Sequence, residues 1–189
     1  PVSGLTVELG SLDFRIRPDE ALLEPLSGPS QFGRARDDWG NGFGSQNSYP
    51  IWHYVLENRY LARNPGFAAP DPRLLLTPGN PRVFPAKEPQ KRFHNFNQSG
   101  RYTSACSPMV YRDNFLFQGD DTYTFTCEPF HNLVQRMSLM RDGSSFAVKR
   151  AESEGALDFF ASEDRWCRPV MARTGPDGAL WVVDMYRYM

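Results

Sequence analysis

The stretch CEPFHNLVQR sets Glu128, His131 and Asn132 just ahead of a strand-like run, where a loop can present side chains on a rigid sheet. Histidine is the usual general base near neutral pH, and a carboxylate close by orients the ring and raises its pKa. Together they can take the proton from a substrate hydroxyl, with Asn132 binding the substrate alongside. A histidine this close to a glutamate can equally be a structural one bonded to main chain. Downstream, SEDRWCRPV brings Arg168 to the start of another strand. Its planar fork of donors suits a carboxylate or an ortho-quinone oxygen, and suits as well an ion pair to a neighbouring sheet. His53, in an aromatic patch, and His94, in a long loop, are weaker candidates.

A second constellation lies in FGRARDDWGNGFGSQNSYPIWHY. Glycines permit tight turns there, while Asp, Asn and Gln hydrogen-bond sugar hydroxyls or ligate a hard cation. Arg34, Asp37, Trp39 and Asn41 are the candidate substrate-binding residues of this stretch, and Asp38 the candidate calcium ligand. Asp184, at the end of ALWVVD, is placed to face the same ligand. Trp39, Trp52 and Tyr49 offer stacking faces for a sugar ring. The alternative is a turn in which Asp38 and Asn41 bond only their own backbone.

Other chemistries lack their motifs. The chain has no phosphate-binding Gly-Lys loop, no Gly-x-Gly-x-x-Gly, no Gly-x-Ser-x-Gly and no Cys-x-x-Cys-His, which disfavours nucleotide, Rossmann, serine-hydrolase and self-contained haem chemistry. A net charge of -1 provides no basic field for nucleic acid. No apolar run approaches a membrane span. The three cysteines form neither a Cys-x-x-Cys pair nor a zinc-finger spacing. Cys106 and Cys127 fall in two strand-like stretches, and in an oxidising compartment they could form a disulfide; buried free thiols are the alternative.

The elements that must position these residues are mostly strands. With 40% hydrophobic and 23% charged residues the 189-residue chain is globular, and 15 glycines and 16 prolines call for many turns. Apolar periodicity is near two almost throughout; only EGALDFFASED carries a brief helical pattern. Hairpins are predicted at LDFRIRPDEALLEPL, with Phe14 and Ile16 sharing a face, at Leu133–Val148 around Asp142-Gly143, and at Val170–Asp184 around Pro176-Asp177-Gly178. The last two turns lie about 35 residues apart, near the length of one four-stranded propeller blade, roughly 40 to 50 residues. The expected fold is therefore all-β, a β-propeller in one domain over 1–189. Within it, 49–100 is a long Pro/Asn-rich loop, whose prolines from Pro50 to Pro89 argue against a long helix or central strand. Tyr60, Phe67, Phe84, Phe93 and Phe96 are candidate anchors for it, and NQS at Asn97 is formally a glycosylation acceptor.

The stretches SQFGRARDDWGNGFGSQNSYPIWHY, RYLARNP, YTSACSPMVYRD, CEPFHNLVQR and DRWCRPVMARTGPDGALWVVDMYRYM resemble, in order, the membrane-bound dehydrogenase family of large secreted planctomycete-type proteins, also called haem-binding Cys-x-x-Cys-His proteins. The resemblance implies a propeller similar to that of soluble quinoprotein sugar and sorbosone dehydrogenases, here an incomplete set of blades of a six-bladed one, in a periplasmic or extracellular protein. It implies oxidation of a sugar or polyol-like substrate with pyrroloquinoline quinone and calcium. In that chemistry His131 would be the base, Glu128 or Asp38 the orienting or calcium-binding carboxylate, and Arg168 the anion clamp. A c-type cytochrome domain or protein elsewhere would accept the electrons. A non-catalytic propeller that binds glycans or organises a larger secreted protein is the competing expectation.

Overall fold

The computed structural model describes residues 6–68, 70–88 and 100–188. Among them the protein is all-β: four antiparallel sheets, none closed into a barrel, and one α-helix, the four-residue α1 (Asn58–Leu61). Strands β1 (Asp13–Arg17) and β2 (Leu22–Leu26) form a hairpin around a 3-10 turn at Pro18–Glu20. β3 (Arg34–Arg36), β4 (Gly42–Gln46), β5 (Tyr49–Tyr54) and β6 (Arg73–Leu75) follow as a meander. A second meander comprises β7 (Cys106–Val110), β8 (Thr122–Glu128), β9 (Leu133–Asp142) and β10 (Ser145–Arg150), with β11 (Phe160–Ala161) also pairing β9. β12 (Pro169–Thr174) and β13 (Leu180–Asp184) make the last hairpin.

The three predicted hairpins form, and the differences have physical reasons. In β1 the exposed face carries Phe14 and Ile16, while Arg15 and Arg17 turn toward β2 to share the Glu24 carboxylate. EGALDFFASED is not helical: a 3-10 turn, Glu152–Glu154, ends at its first residue and β11 follows within it, because β9 offers an edge that β11 can pair.

The expected loop 49–100 begins instead with β5, an inner strand of its sheet, and contains α1 and β6. Pro50 is tolerated because the β4–β5 register slips between Gly44 and Gln46, so the missing N–H falls at an irregularity, and its carbonyl accepts from Thr126 Oγ1 at 3.2 Å. Tyr60 and Phe67 are exposed rather than anchoring; Phe84 lies beneath the Arg150 guanidinium, 4.1 Å from ring centroid to Cζ. Phe93, Phe96, His94 and Asn97 lie outside the described residues.

Apolar side chains join the sheets face to face. Phe43 and Ile51 of the first meander pack with Val110, Leu139 and Phe146 of the second. Met109, Phe125, Cys127 and Val134 of the second meander pack with Ala172 of β12. All five residues of β7 are buried between these neighbours.

The tightest junction is at Ser107. The β7–β8 register shifts between Cys106 and Met109, and Ser107 takes φ 50°. Its freed N–H donates to the Phe32 carbonyl at 2.5 Å, and its hydroxyl accepts from Arg173 of β12 at 2.7 Å. Gly33, at φ 112°, passes so close that a Cβ there would stand 3.0 Å from Ser107 Cα, backbone that cannot swing aside. Gly33→Ala should therefore cost on the order of 2 kcal/mol from strain and crowding. Gly66→Ala, whose nearest neighbour would be 3.5 Å away, should fall within about 0.5 kcal/mol of the parent in urea denaturation.

Candidate functional site

The residues expected to share one site are divided between the two ends of β8. The chain leaves β7 through Tyr111–Asp121 at one end of the sheet and returns through the 3-10 turn Pro129–His131 at the other. Seven strand residues at roughly 3.3 Å per residue place the ends of β8 about 20 Å apart.

At the turn end, His131 and Glu128 have no exposed side-chain surface. Imidazole Nε2 accepts the Gly100 N–H at 3.2 Å, which leaves the proton on Nδ1 to be donated to Glu128 Oε1 at 3.3 Å. The same carboxylate accepts from Thr103 N–H (3.1 Å), Thr103 Oγ1 (3.2 Å) and Ser104 N–H (2.9 Å). The proximity expected from sequence is present, but the lone pair a base would use is already engaged. A buried carboxylate with this many donors anchors the 103–104 segment to β8.

Arg168 is likewise buried, and its guanidinium is spent on main chain. Nη1 donates to the carbonyls of Pro129 (2.7 Å) and Phe130 (3.3 Å), and Nε to that of Arg187 (3.1 Å). It ties the start of β12 to the His131 turn. Asp184 accepts from the N–H groups of Arg168 (2.6 Å) and Tyr186 (2.8 Å). Asn132, in the left-handed conformation that ends the turn, donates its amide to the Cys167 carbonyl. These five residues form one structural knot. His53 is also buried: its Nδ1 lies 2.9 Å from Ser145 Oγ, and desolvation pushes its pKa down.

At the opposite end, the β3–β4 turn and the 111–122 segment enclose an open cavity of ≈ 420 Å³. Asp37, Asp38 and Trp39 line it together with Arg112, Asn114 and Asp120. Asp37 is buried and holds the turn, accepting from the N–H groups of Trp39 (3.0 Å) and Asn41 (2.8 Å) and from the Asn41 amide (2.6 Å). Asp37 and Asn41 thus shape the turn. Asp38 is ion-paired with Arg112. Trp39 projects from this rigid turn with 74% of its surface exposed. Asn114, which the sequence reading passed over, reaches the cavity from the far wall; only its position after β7 could have flagged it.

Arg34 sits elsewhere, in an adjoining cavity, paired with Asp13 at 2.9 Å and stacked 4.1 Å over the Tyr54 ring. Trp52 is buried, so of the expected stacking residues only Trp39 and Tyr49 face solvent. No group of three or more His, Cys, Asp or Glu side chains suited to a metal occurs among the described residues, and Asp38 is engaged by Arg112. The donor set for calcium is therefore not assembled among the described residues.

Cys106 and Cys127 stand directly opposite each other across β7 and β8, as free thiols rather than a disulfide. The Cys106 Sγ is turned to the Val170 carbonyl at 3.4 Å. Burial pushes its pKa up to about 12 and that of Cys127 well above the usual thiol value, so the reactive thiolate is scarce.

Fold and site together define an all-β protein of stacked antiparallel sheets with a polar, tryptophan-edged cavity. The chain belongs to the family of a domain of unknown function, DUF7133, whose model matches residues 2–189. No curated protein and no solved structure matches it. No helix among the described residues is long and apolar enough to cross a membrane.

Two outcomes are expected from these assignments. Glu128→Ala orphans several buried donors and should lower unfolding stability by at least ~2 kcal/mol, measured by chemical denaturation. Cys106 and Cys127 should resist a thiol-specific disulfide reagent at pH 8 in the native protein and react within seconds once it is unfolded.

Proposed function

We propose that this chain is a propeller segment that binds a sugar or polyol-like ligand in the cavity beside Trp39, in the role of a recognition module. The observation that carries this reading is Trp39 itself: a large indole, 74% exposed, held by a braced turn at the rim of a cavity otherwise lined with carboxylate, amide and guanidinium groups. An exposed aromatic face beside hydroxyl-matching polar groups is the arrangement that a sugar ring requires, one face apolar and the edge polar.

The propeller reading is supported by the order of the sheets. Each consists mainly of strands adjacent in the chain, and one cavity is lined by residues of β1, β3, β7 and β12, the first strand of each sheet. Radial packing of blades would bring first strands together in this way.

The dehydrogenase reading, with a quinone, calcium and a cytochrome acceptor, asks for an accessible base. His131 is buried with both ring nitrogens hydrogen-bonded, and His53 is buried with its Nδ1 2.9 Å from Ser145 Oγ. The binding reading needs no such group and is therefore preferred. An extracytoplasmic location would fit a glycan ligand and is proposed with it.

Calorimetry and tryptophan fluorescence against a panel of neutral oligosaccharides test the proposal. At least one should bind and shift the indole emission, and Trp39→Ala should weaken it about tenfold or more while leaving the melting temperature unchanged. Equal binding by Trp39→Ala, or dye reduction that requires pyrroloquinoline quinone and His131, would overturn it.

A further inference from the structure

Next to the Trp39 cavity, and sharing Val110 and Arg112 with it, lies a second cavity of ≈ 490 Å³ at the meeting of β1, β3, β7 and β12. Five arginines line it, Arg15, Arg34, Arg36, Arg112 and Arg173, and no acidic side chain does. Three of the five are compensated from outside the lining: Arg15 by Glu24 at 2.6 Å, Arg34 by Asp13 at 2.9 Å, and Arg112 by Asp38. Arg36 and Arg173 pair with no carboxylate among the described residues.

Arg173 is half-buried, so its uncompensated charge is poorly screened by water. It is also fixed: Nη1 donates to Ser107 Oγ at 2.7 Å and to the Ala172 carbonyl at 2.6 Å, while its other guanidinium nitrogen atoms make no hydrogen bond among the described residues. Arg36 is exposed at the cavity wall, two residues along β3 from Arg34 and therefore on the same face. A cavity with two uncompensated guanidinium groups and no carboxylate is matched by an oxyanion, which can take paired N–H donors from each. The neighbouring cavity has the opposite character, with Asp37, Asp38, Asp113, Asp120 and Asp121 on its wall, and would repel an anion.

We propose that the ligand is an acidic saccharide whose carboxylate or sulfate group enters the arginine cavity and is held by Arg36 and Arg173, while its ring lies against Trp39. The saccharide half of this assignment rests on the reading above; the anion half stands on the arginine cavity alone.

The test compares galactose, galacturonate and galactose 6-sulfate by calorimetry with the full chain. One or both acidic sugars should bind at least tenfold tighter than galactose, and which of them does so identifies the group. The preference should shrink as salt is raised. Arg36→Ala should reduce it about tenfold, and Arg173→Gln should do the same. Arg36 is exposed, so its variant remains decisive if Arg173→Gln does not fold. Trp39→Ala should weaken all three sugars alike and leave the preference intact. If no sugar binds, but sodium sulfate raises the melting temperature of the parent and not of Arg36→Ala, the anion cavity stands and the saccharide reading fails. Equal affinity for neutral and acidic sugars, or a preference or sulfate response unchanged in Arg36→Ala, overturns the proposal.

Discussion

Three sheets are locked together at the Ser107 bulge, and the other features of the molecule follow from that junction. A β-strand has only two kinds of main-chain hydrogen bond to give, and a bulge takes one residue out of the ladder. At Ser107 the released N–H goes to Phe32, at the approach to β3, and the hydroxyl receives Arg173 from β12. With Gly33 drawn against the bulge, the approach to β3 is held at backbone contact with β7, while β12 is tied to it through the Arg173 side chain. β7 is buried along its whole length between these neighbours.

The same junction separates structural polar groups from available ones. At the end of β8 that faces the Pro129–His131 turn, Glu128, His131 and Arg168 are each surrounded by main-chain partners, and their burial is compensated bond by bond. At the other end the turns project outward, and Trp39, Asn114 and Asp120 meet solvent over an open cavity. Charge is likewise divided, with arginines toward the convergence of the sheets and carboxylates toward the outer rim. The buried Glu128, His131 and Arg168 and the exposed Trp39 indole support the recognition role proposed above.

Much of this was legible in local sequence, since period-two patterns and Pro-Asp or Asp-Gly turns report on residues that are close neighbours. The hairpins at Pro18–Glu20, Gly143 and Gly178 follow from those signals. Trp39 was legible too, because Asp37 and Asn41 define its turn within a few residues. Pro50 misled, as a proline ordinarily excludes an inner strand; only the partner strand's slipped register makes room for it.

By itself, the amino-acid sequence determined the all-β class, the main turns and the residue types at hand, because these depend on backbone preferences acting over a few positions. The tertiary structure alone decided which side chains are free to act. Whether His131 is a base or a brace depends on Gly100 and Thr103, some thirty residues away. Whether an arginine carries uncompensated charge depends on which carboxylate another sheet supplies: Glu24 reaches Arg15 and Asp13 reaches Arg34, and no such partner meets Arg173 among the described residues. Burial and charge pairing are properties of the packed arrangement, and no spacing along the chain encodes them.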